Sequence, residues 1–287
     1  MGRQRTGVFY HPSFSRKSYL TAGSRLADFP AALEAILRTD RVRLYDAEPV
    51  SRELLLKVHT PDLLERVAED RLCTTAWRSA GGVVAAGEKI AGGEIGNAFA
   101  FIGAGGHHAG RNEFGGFCCF NDVALAIVNL RETSGPTRFA IVDTDAHHAE
   151  GTRELFEEDP DVLHVCFCGT DYESADGTKV DVACSSPSTN ESYLDLVERH
   201  VPVRVRRFAP DLLFWYFGFD THEGDYGDIG LTGPCYFRIA DLMRGLADEV
   251  CHGRLAVVLG GGSRREFATY LIPPVITKLA EPDLHTV

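Results

Sequence analysis

Ile141-Val142-Asp143-Thr144-Asp145-Ala146-His147-His148-Ala149-Glu150-Gly151 is the stretch on which the reading of the whole chain turns. An apolar run passes without a break into alternating aspartate and histidine. If the strand stays extended, residues 143, 145 and 147 share one side, because successive side chains alternate across a strand. A carboxylate and an imidazole delivered together from one strand end suit zinc, iron(II) or cobalt. Alone, the segment suits an ion-pair and turn cluster equally well, so its neighbours must decide.

Two other segments have the same form. Residues 98–102 are apolar and run into Gly103-Ala104-Gly105-Gly106-His107-His108-Ala109-Gly110. Adjacent histidines point different ways, so they suit proton handling around a reacting water better than joint ligation of one metal. The second is Phe214-Trp215-Tyr216-Phe217-Gly218-Phe219-Asp220-Thr221-His222. It ends a very apolar run on Asp220, and a desolvated carboxylate there needs a cation or strong donors. A histidine-rich surface loop and a helix-capping aspartate are the plain alternatives for each taken singly. Together the three are much stronger than any one, because chance seldom sets all of them at the carboxyl ends of strands.

Continuous apolar runs at 139–142, 162–167, 212–217 and 255–259 read as strands buried on both faces. Residues 121–130, 192–207 and 239–250 show helical spacing. Alternation of the two predicts an α/β fold, with one domain over residues 1–287 and a mainly parallel sheet flanked by helices. The polar clusters then lie at the carboxyl ends of the strands, the edge where open parallel sheets bind ligands.

Composition agrees with this. The 287 residues are 44% hydrophobic and 24% charged, with a net charge of -12. That balance argues against a nucleic-acid surface, which needs a basic face. No stretch is apolar enough to span a bilayer, and the start, Met1-Gly2-Arg3-Gln4-Arg5, leads into no apolar signal core. The eight cysteines are scattered without a paired framework. Reduced core thiols in a cytoplasmic protein are the expectation.

The ordered motifs resemble the histone deacetylase superfamily, which includes acetylpolyamine amidohydrolases, and the likeness runs over most of the chain. It is carried by Val58-His59-Thr60-Pro61, by Gly106-His107-His108-Ala109 followed by Gly115-Gly116-Phe117-Cys118-Cys119-Phe120-Asn121-Asp122, by Asp143-Thr144-Asp145-Ala146-His147-His148, and by Gly218-Phe219-Asp220-Thr221-His222. The resemblance implies an arginase/deacetylase-like fold. It also implies one divalent metal per chain, zinc on Asp145, His147 and Asp220, with iron(II) or cobalt as alternatives; a binuclear, arginase-like centre is disfavoured, because His222 stands where a further carboxylate would be wanted. His108 would be the principal base, oriented by Glu150 where the family usually has Asp, and His107 its partner, oriented by Asp143. Phe117 and Gly116 would line the channel for an acylated amine or acyl-lysine. A monovalent cation such as potassium would sit near Asp143 and residues 165–167. The implied reaction is hydrolysis of an N-acyl, chiefly acetyl, amide by metal-bound water.

Two departures stand out. Most of the family ends a Gly-rich turn in Tyr, an oxyanion donor typically worth ~3 kcal/mol. This chain has Leu259-Gly260-Gly261-Gly262-Ser263-Arg264-Arg265-Glu266 instead. Arg264 or Arg265 could supply the donor or turn into a salt bridge, and Tyr226 or Tyr270 could reach in from elsewhere. With no donor, the chain would be a slow acyl-lysine or small-molecule binder. In the second departure, Gly103-Ala104-Gly105 replaces the usual Arg-Pro-Pro before the histidine pair.

Overall fold

Five buried apolar runs become neighbouring strands of one sheet in the computed structural model, which describes residues 5–15, 25–133, 135–184 and 186–281. Residues 1–4, part of the opening stretch read for a signal, lie outside that range. The strands are β1 (Thr6–Tyr10), β2 (Val42–Asp46), β3 (Asn97–Ala100), β4 (Phe139–Asp143), β5 (Val162–Cys168), β6 (Tyr172–Glu173), β7 (Lys179–Ala183), β8 (Leu212–Phe217) and β9 (Leu255–Leu259). Their order is β2-β1-β3-β9-β8-β4-β5-β7-β6. Every pairing is parallel except the short β6–β7 edge, which is antiparallel. The central strands β4, β5, β8 and β9 are buried along their whole length, as expected for a sheet covered on both faces.

Register brings the chemistry to one edge. Asp143 is the partner of Tyr216, and Phe217 that of Leu259, so β4, β8 and β9 stop nearly flush. The predicted strands and helices are present with ends shifted by a few residues. The three expected helices are α5 (Asp122–Thr133), α7 (Asn190–Phe208) and α8 (Gly233–Cys251). Around them stand α1 (Glu34–Leu37), α2 (Arg52–Val58), α3 (Pro61–Glu69), α4 (Ala76–Ala91), α6 (Glu150–Phe156) and α9 (Arg265–Ala280).

Two of these helices carry residues that weaken a helix signal. In α4, a Cβ at Gly81 would fall 1.8 Å from the Glu48 carbonyl, so only glycine lets the helix lie against that backbone. In α9, Pro273 and Pro274 sit inside the helix, where they remove backbone donors. Burial of Ala268, Leu271, Ile272, Val275, Ile276 and Leu279 along one stripe outweighs that loss.

One cysteine expectation is corrected. Cys73 and Cys119 form a disulfide with a Cα–Cα distance of 6.0 Å, and the other six are free. A separation of 46 residues carries no pairing motif. The two meet because the segments leading into α4 and α5 lie side by side. Among the described residues no helix is long and apolar enough to cross a membrane.

His59, at the end of α2, pins the histidine-bearing loop. Its Nδ1 lies 2.8 Å from the Gly110 carbonyl, and its Nε2 accepts from the Asn121 N–H at 3.1 Å. This pattern uses neutral imidazole, and burial pushes the group down to about 4. The folded state therefore binds fewer protons here than the unfolded chain. Its contribution is complete above pH ~6.5 and is lost as pH falls towards 4, up to roughly 3 kcal/mol. Urea unfolding of wild type and His59→Gln between pH 7 and 4.5 should show the wild type losing more stability. Parallel pH curves would refute this role.

Candidate active site

β4 ends on Asp143, and the chain beyond it is held by its own carboxylates. Asp143 accepts the Asp145 N–H at 3.0 Å, and Asp145 accepts the His147 N–H at 3.1 Å. These short loops turn the segment so that Asp145 and His147 point inward together. His147 Nδ1 lies 3.0 Å from Asp145 Oδ1 and 3.0 Å from Asp220 Oδ2. The second Asp145 oxygen accepts the Gly261 N–H at 2.7 Å. Asp220 arrives from the end of β8, fully buried, with Oδ1 accepting from Ala146 and Thr221. Its Oδ2 faces His147 but lacks hydrogen-bond geometry to any donor among the described residues.

The electrostatics describe a place made for positive charge. Burial, reinforced by neighbouring Asp145, lifts Asp220 to about 7. Burial also opposes ionisation of Asp145, but His107 and His147 outweigh it and hold that carboxyl below its ordinary range. The two carboxylates beside its Nδ1, Asp145 first, raise His147 to about 10. Two oxygens and one imidazole nitrogen around an unsatisfied buried carboxylate oxygen fit a zinc-class cation.

The histidine pair is built on the adjoining loop. His107 Nδ1 meets Asp143 Oδ2 at 2.7 Å, and its ring stacks on Tyr216 with centroids 4.6 Å apart. Burial alone would lower His107, but Asp143, Asp145 and Asp220 overcome it and raise the group to about 9. His108 Nδ1 meets Glu150 Oε2 at 2.6 Å, so the longer glutamate does form its dyad. Burial would lift Glu150, yet the bond to His108 holds it below its ordinary value. The loop itself is anchored by the Thr152 N–H to the His107 carbonyl and by the Asn121 amide to Ala109.

These groups share one pocket. Gly116 and Phe117 line it with both histidines, Asp145 and His147. Phe117 stands at φ 69°, a strained backbone for a bulky residue, and is half exposed at the rim. Beside Asp143 are His164 and Cys166, a nitrogen and a sulfur. An alkali cation prefers oxygen, so backbone carbonyls would have to supply most ligands for potassium there.

Of the two alternatives for the arginines, the structure shows the salt bridge. Arg265 forms a two-point pair with Asp28, its hydrogen bonds holding that carboxyl down to about 2. Arg264 pairs with Glu266 at 3.4 Å and lies over the Phe267 ring. Both are more than half exposed and neither lines the pocket. The cause is that α9 begins at Arg265, which turns both side chains outward along the new helix. Ser263 is also engaged elsewhere, donating to Asp225 at 2.9 Å. His222 stacks on Phe267 at 4.0 Å, away from the ligand set.

The residue that does reach the pocket from this side is Tyr226. Its hydroxyl accepts the Gly262 N–H at 3.1 Å. A Cβ at Gly261 would fall 2.6 Å from that hydroxyl, 2.6 Å from Asp145 Oδ2 and 2.8 Å from Asp220 Oδ2. Three functional atoms therefore face one small space that only glycine leaves open. Tyr270 instead lies exposed, with its ring 6.0 Å from Phe237.

Arg25 also escaped the sequence reading. It is buried, and its guanidinium donates to the Gly260 and Gly262 carbonyls at 2.8 and 2.9 Å and to Ile102 at 3.2 Å. It thereby clamps the glycine turn. A single arginine 235 residues away in sequence gives no local signal of that contact.

Comparison with known proteins agrees with this geometry. Residues 67–276 match the histone deacetylase domain family. A probable deacetylase of Archaeoglobus fulgidus is 29% identical over 98% of this chain and 88% of its own. A histone deacetylase-like amidohydrolase of Pseudomonas aeruginosa is 28% identical over 84% of this chain and 72% of its own. The crystal structure of the HDA15 HD domain superposes with a TM-score of 0.84 at 24% identity, covering 98% of this chain and 91% of that one, which shows the shared fold. With its paired histidines and Asp-His-Asp set on the matched strands, the chain belongs to the histone deacetylase domain family.

Proposed function

We propose that the protein hydrolyses an N-acyl amide, chiefly acetyl, on a lysine-like or other amine substrate. The observation that carries this reading is the meeting of two carboxylate-backed histidines, an Asp-His-Asp set and a tyrosine hydroxyl in one pocket. A pure binder has no use for both proton-handling pairs. Asp145, His147 and Asp220 would hold the metal, zinc being favoured by the donor set, which when bound supplies Lewis-acid polarisation and an activated water.

The chain's own groups divide the remaining work. Phe117 and Gly116 guide the acylated side chain into the pocket. His108, with Nδ1 fixed by Glu150, presents Nε2 to take a proton from the attacking water. His107, backed by Asp143, gives a proton to the amine nitrogen as the C–N bond breaks. Tyr226 takes the place of the missing turn tyrosine. Burial, with Asp220 and Asp145 nearby, raises its hydroxyl well above the ordinary range, so it keeps its proton. The Gly262 N–H occupies a lone pair of that oxygen, leaving the O–H free to donate to the carbonyl oxygen as charge grows there.

Tyr226→Phe should reduce kcat on an acetyl-lysine peptide by ~100-fold or more, with metal content unchanged. Arg264→Ala and Arg265→Ala should leave kcat nearly unchanged. The opposite ranking would return the oxyanion role to an arginine.

His108→Ala should abolish turnover yet retain metal by elemental analysis, because its ring is bonded to Glu150 and not to the ligand set. Loss of metal in this variant would show that the role is misassigned. His107→Ala should be more damaging for amides with basic leaving amines, read by comparing acyl-alkylamines with acyl-anilines. Equal losses on both would remove its leaving-group role.

A further inference from the structure

β5 and β7 hold a second group of metal-ligating side chains that does not line the catalytic pocket. Cys166 and Cys168 are two apart on β5 and so share a face of the sheet. Asp181 on β7 is the register partner of Cys166. His148 reaches the same spot from the loop that follows β4, the strand on the other side of β5. One donor atom from each residue lies within 4.8 Å of all the others. His148 Nδ1 is 3.6 Å from Cys168 Sγ and 3.6 Å from Asp181 Oδ1.

The nitrogen–oxygen spacing is too long for a hydrogen bond, whereas the sulfur–nitrogen one is within reach of a weak one. They are close to the edges of a metal tetrahedron. With zinc bonds of about 2.3 Å to sulfur and about 2.0 Å to nitrogen or oxygen, the sulfur–nitrogen edge is about 3.6 Å and the nitrogen–oxygen edge about 3.3 Å. The charges also balance. Arg153 donates to Asp181 Oδ1 at 2.6 Å and neutralises that carboxylate, so two thiolates would match a dication. The thiols are buried whereas His148 is 39% exposed, which gives an ion a way in. Arg153 further contacts His164 Nδ1 at 3.4 Å, fixing Asp181 from behind as outer groups do around metal ligands.

We propose that His148, Cys166, Cys168 and Asp181 form a second, structural site for a soft or borderline divalent cation such as zinc. Such a site would tie β5 and β7 to the loop carrying His147, and thus brace the catalytic segment from outside the pocket. It replaces the expectation of one metal per chain. The plain alternative is apolar packing, since Ala149, Cys166 and Cys168 form a small buried cluster of their own. The proposal does not depend on the acyl-hydrolase reading.

Cobalt(II) is the probe that separates the two sites. The full chain is stripped of metal, reduced with a phosphine and titrated with cobalt(II). Two equivalents should bind, one of them giving the intense near-ultraviolet thiolate-to-cobalt charge-transfer band that a carboxylate and imidazole site cannot produce. Cys168→Ser and Cys168→Ala should each lose that band and one equivalent while keeping the wild-type circular-dichroism spectrum and cooperative urea unfolding, which report that they fold. Asp145→Asn should keep the band. Absence of the band in wild type, its survival in both Cys168 variants, or its loss in Asp145→Asn would each overturn the proposal. So would a native Cys166–Cys168 disulfide whose reduction yields no second equivalent.

Discussion

A carboxylate taken out of water must be solvated by the protein, and Asp145 is where this chain meets that demand. Its oxygens are covered by the His147 N–H and imidazole and by the Gly261 N–H. Each of these comes from a different place: the turn beyond β4 and the turn beyond β9. The need to neutralise one buried charge thus fixes the relative position of two strand ends. Asp220 adds a second buried carboxylate from β8 and makes the local demand for positive charge larger.

The rest of the pocket follows from that demand. Burial would lower His107, but Asp143, Asp145 and Asp220 around it raise it instead. Burial, with Asp220 and Asp145 adding to it, raises the Tyr226 hydroxyl above its ordinary range. The glycine turn must come close enough to bond Asp145, so a side chain at Gly261 would collide with the site it serves. Arg25 holds the turn from behind by satisfying carbonyls that would otherwise be buried without donors. The loop after β8 contributes a hydroxyl where the turn after β9 contributes only backbone.

Much of the fold was legible because its signals are local. The runs ending at Asp143, Phe217 and Leu259 are apolar throughout, and only strands covered on both faces look that way. β2 was hidden by its exposed, mixed residues at the sheet edge. α4 and α9 were hidden by glycines and prolines whose local cost is repaid in packing that no sequence window contains. The dyads His107–Asp143 and His108–Glu150 were legible as residue types, and the structure supplies their distances.

The sequence by itself determined the family motifs, the parallel α/β architecture and the candidate set Asp145, His147 and Asp220, because each is written within a few consecutive residues at a strand end. Only the tertiary structure decided that Arg264 and Arg265 face outward, that Tyr226 faces inward, and that Cys73 lies against Cys119. It alone gathered His148, Cys166, Cys168 and Asp181 from a loop and two strands. The reason is physical. Side-chain alternation and hydrophobic period act over a few residues, whereas helix starts, loop crossings and strand register set which distant groups share a dielectric, and that proximity carries the chemistry.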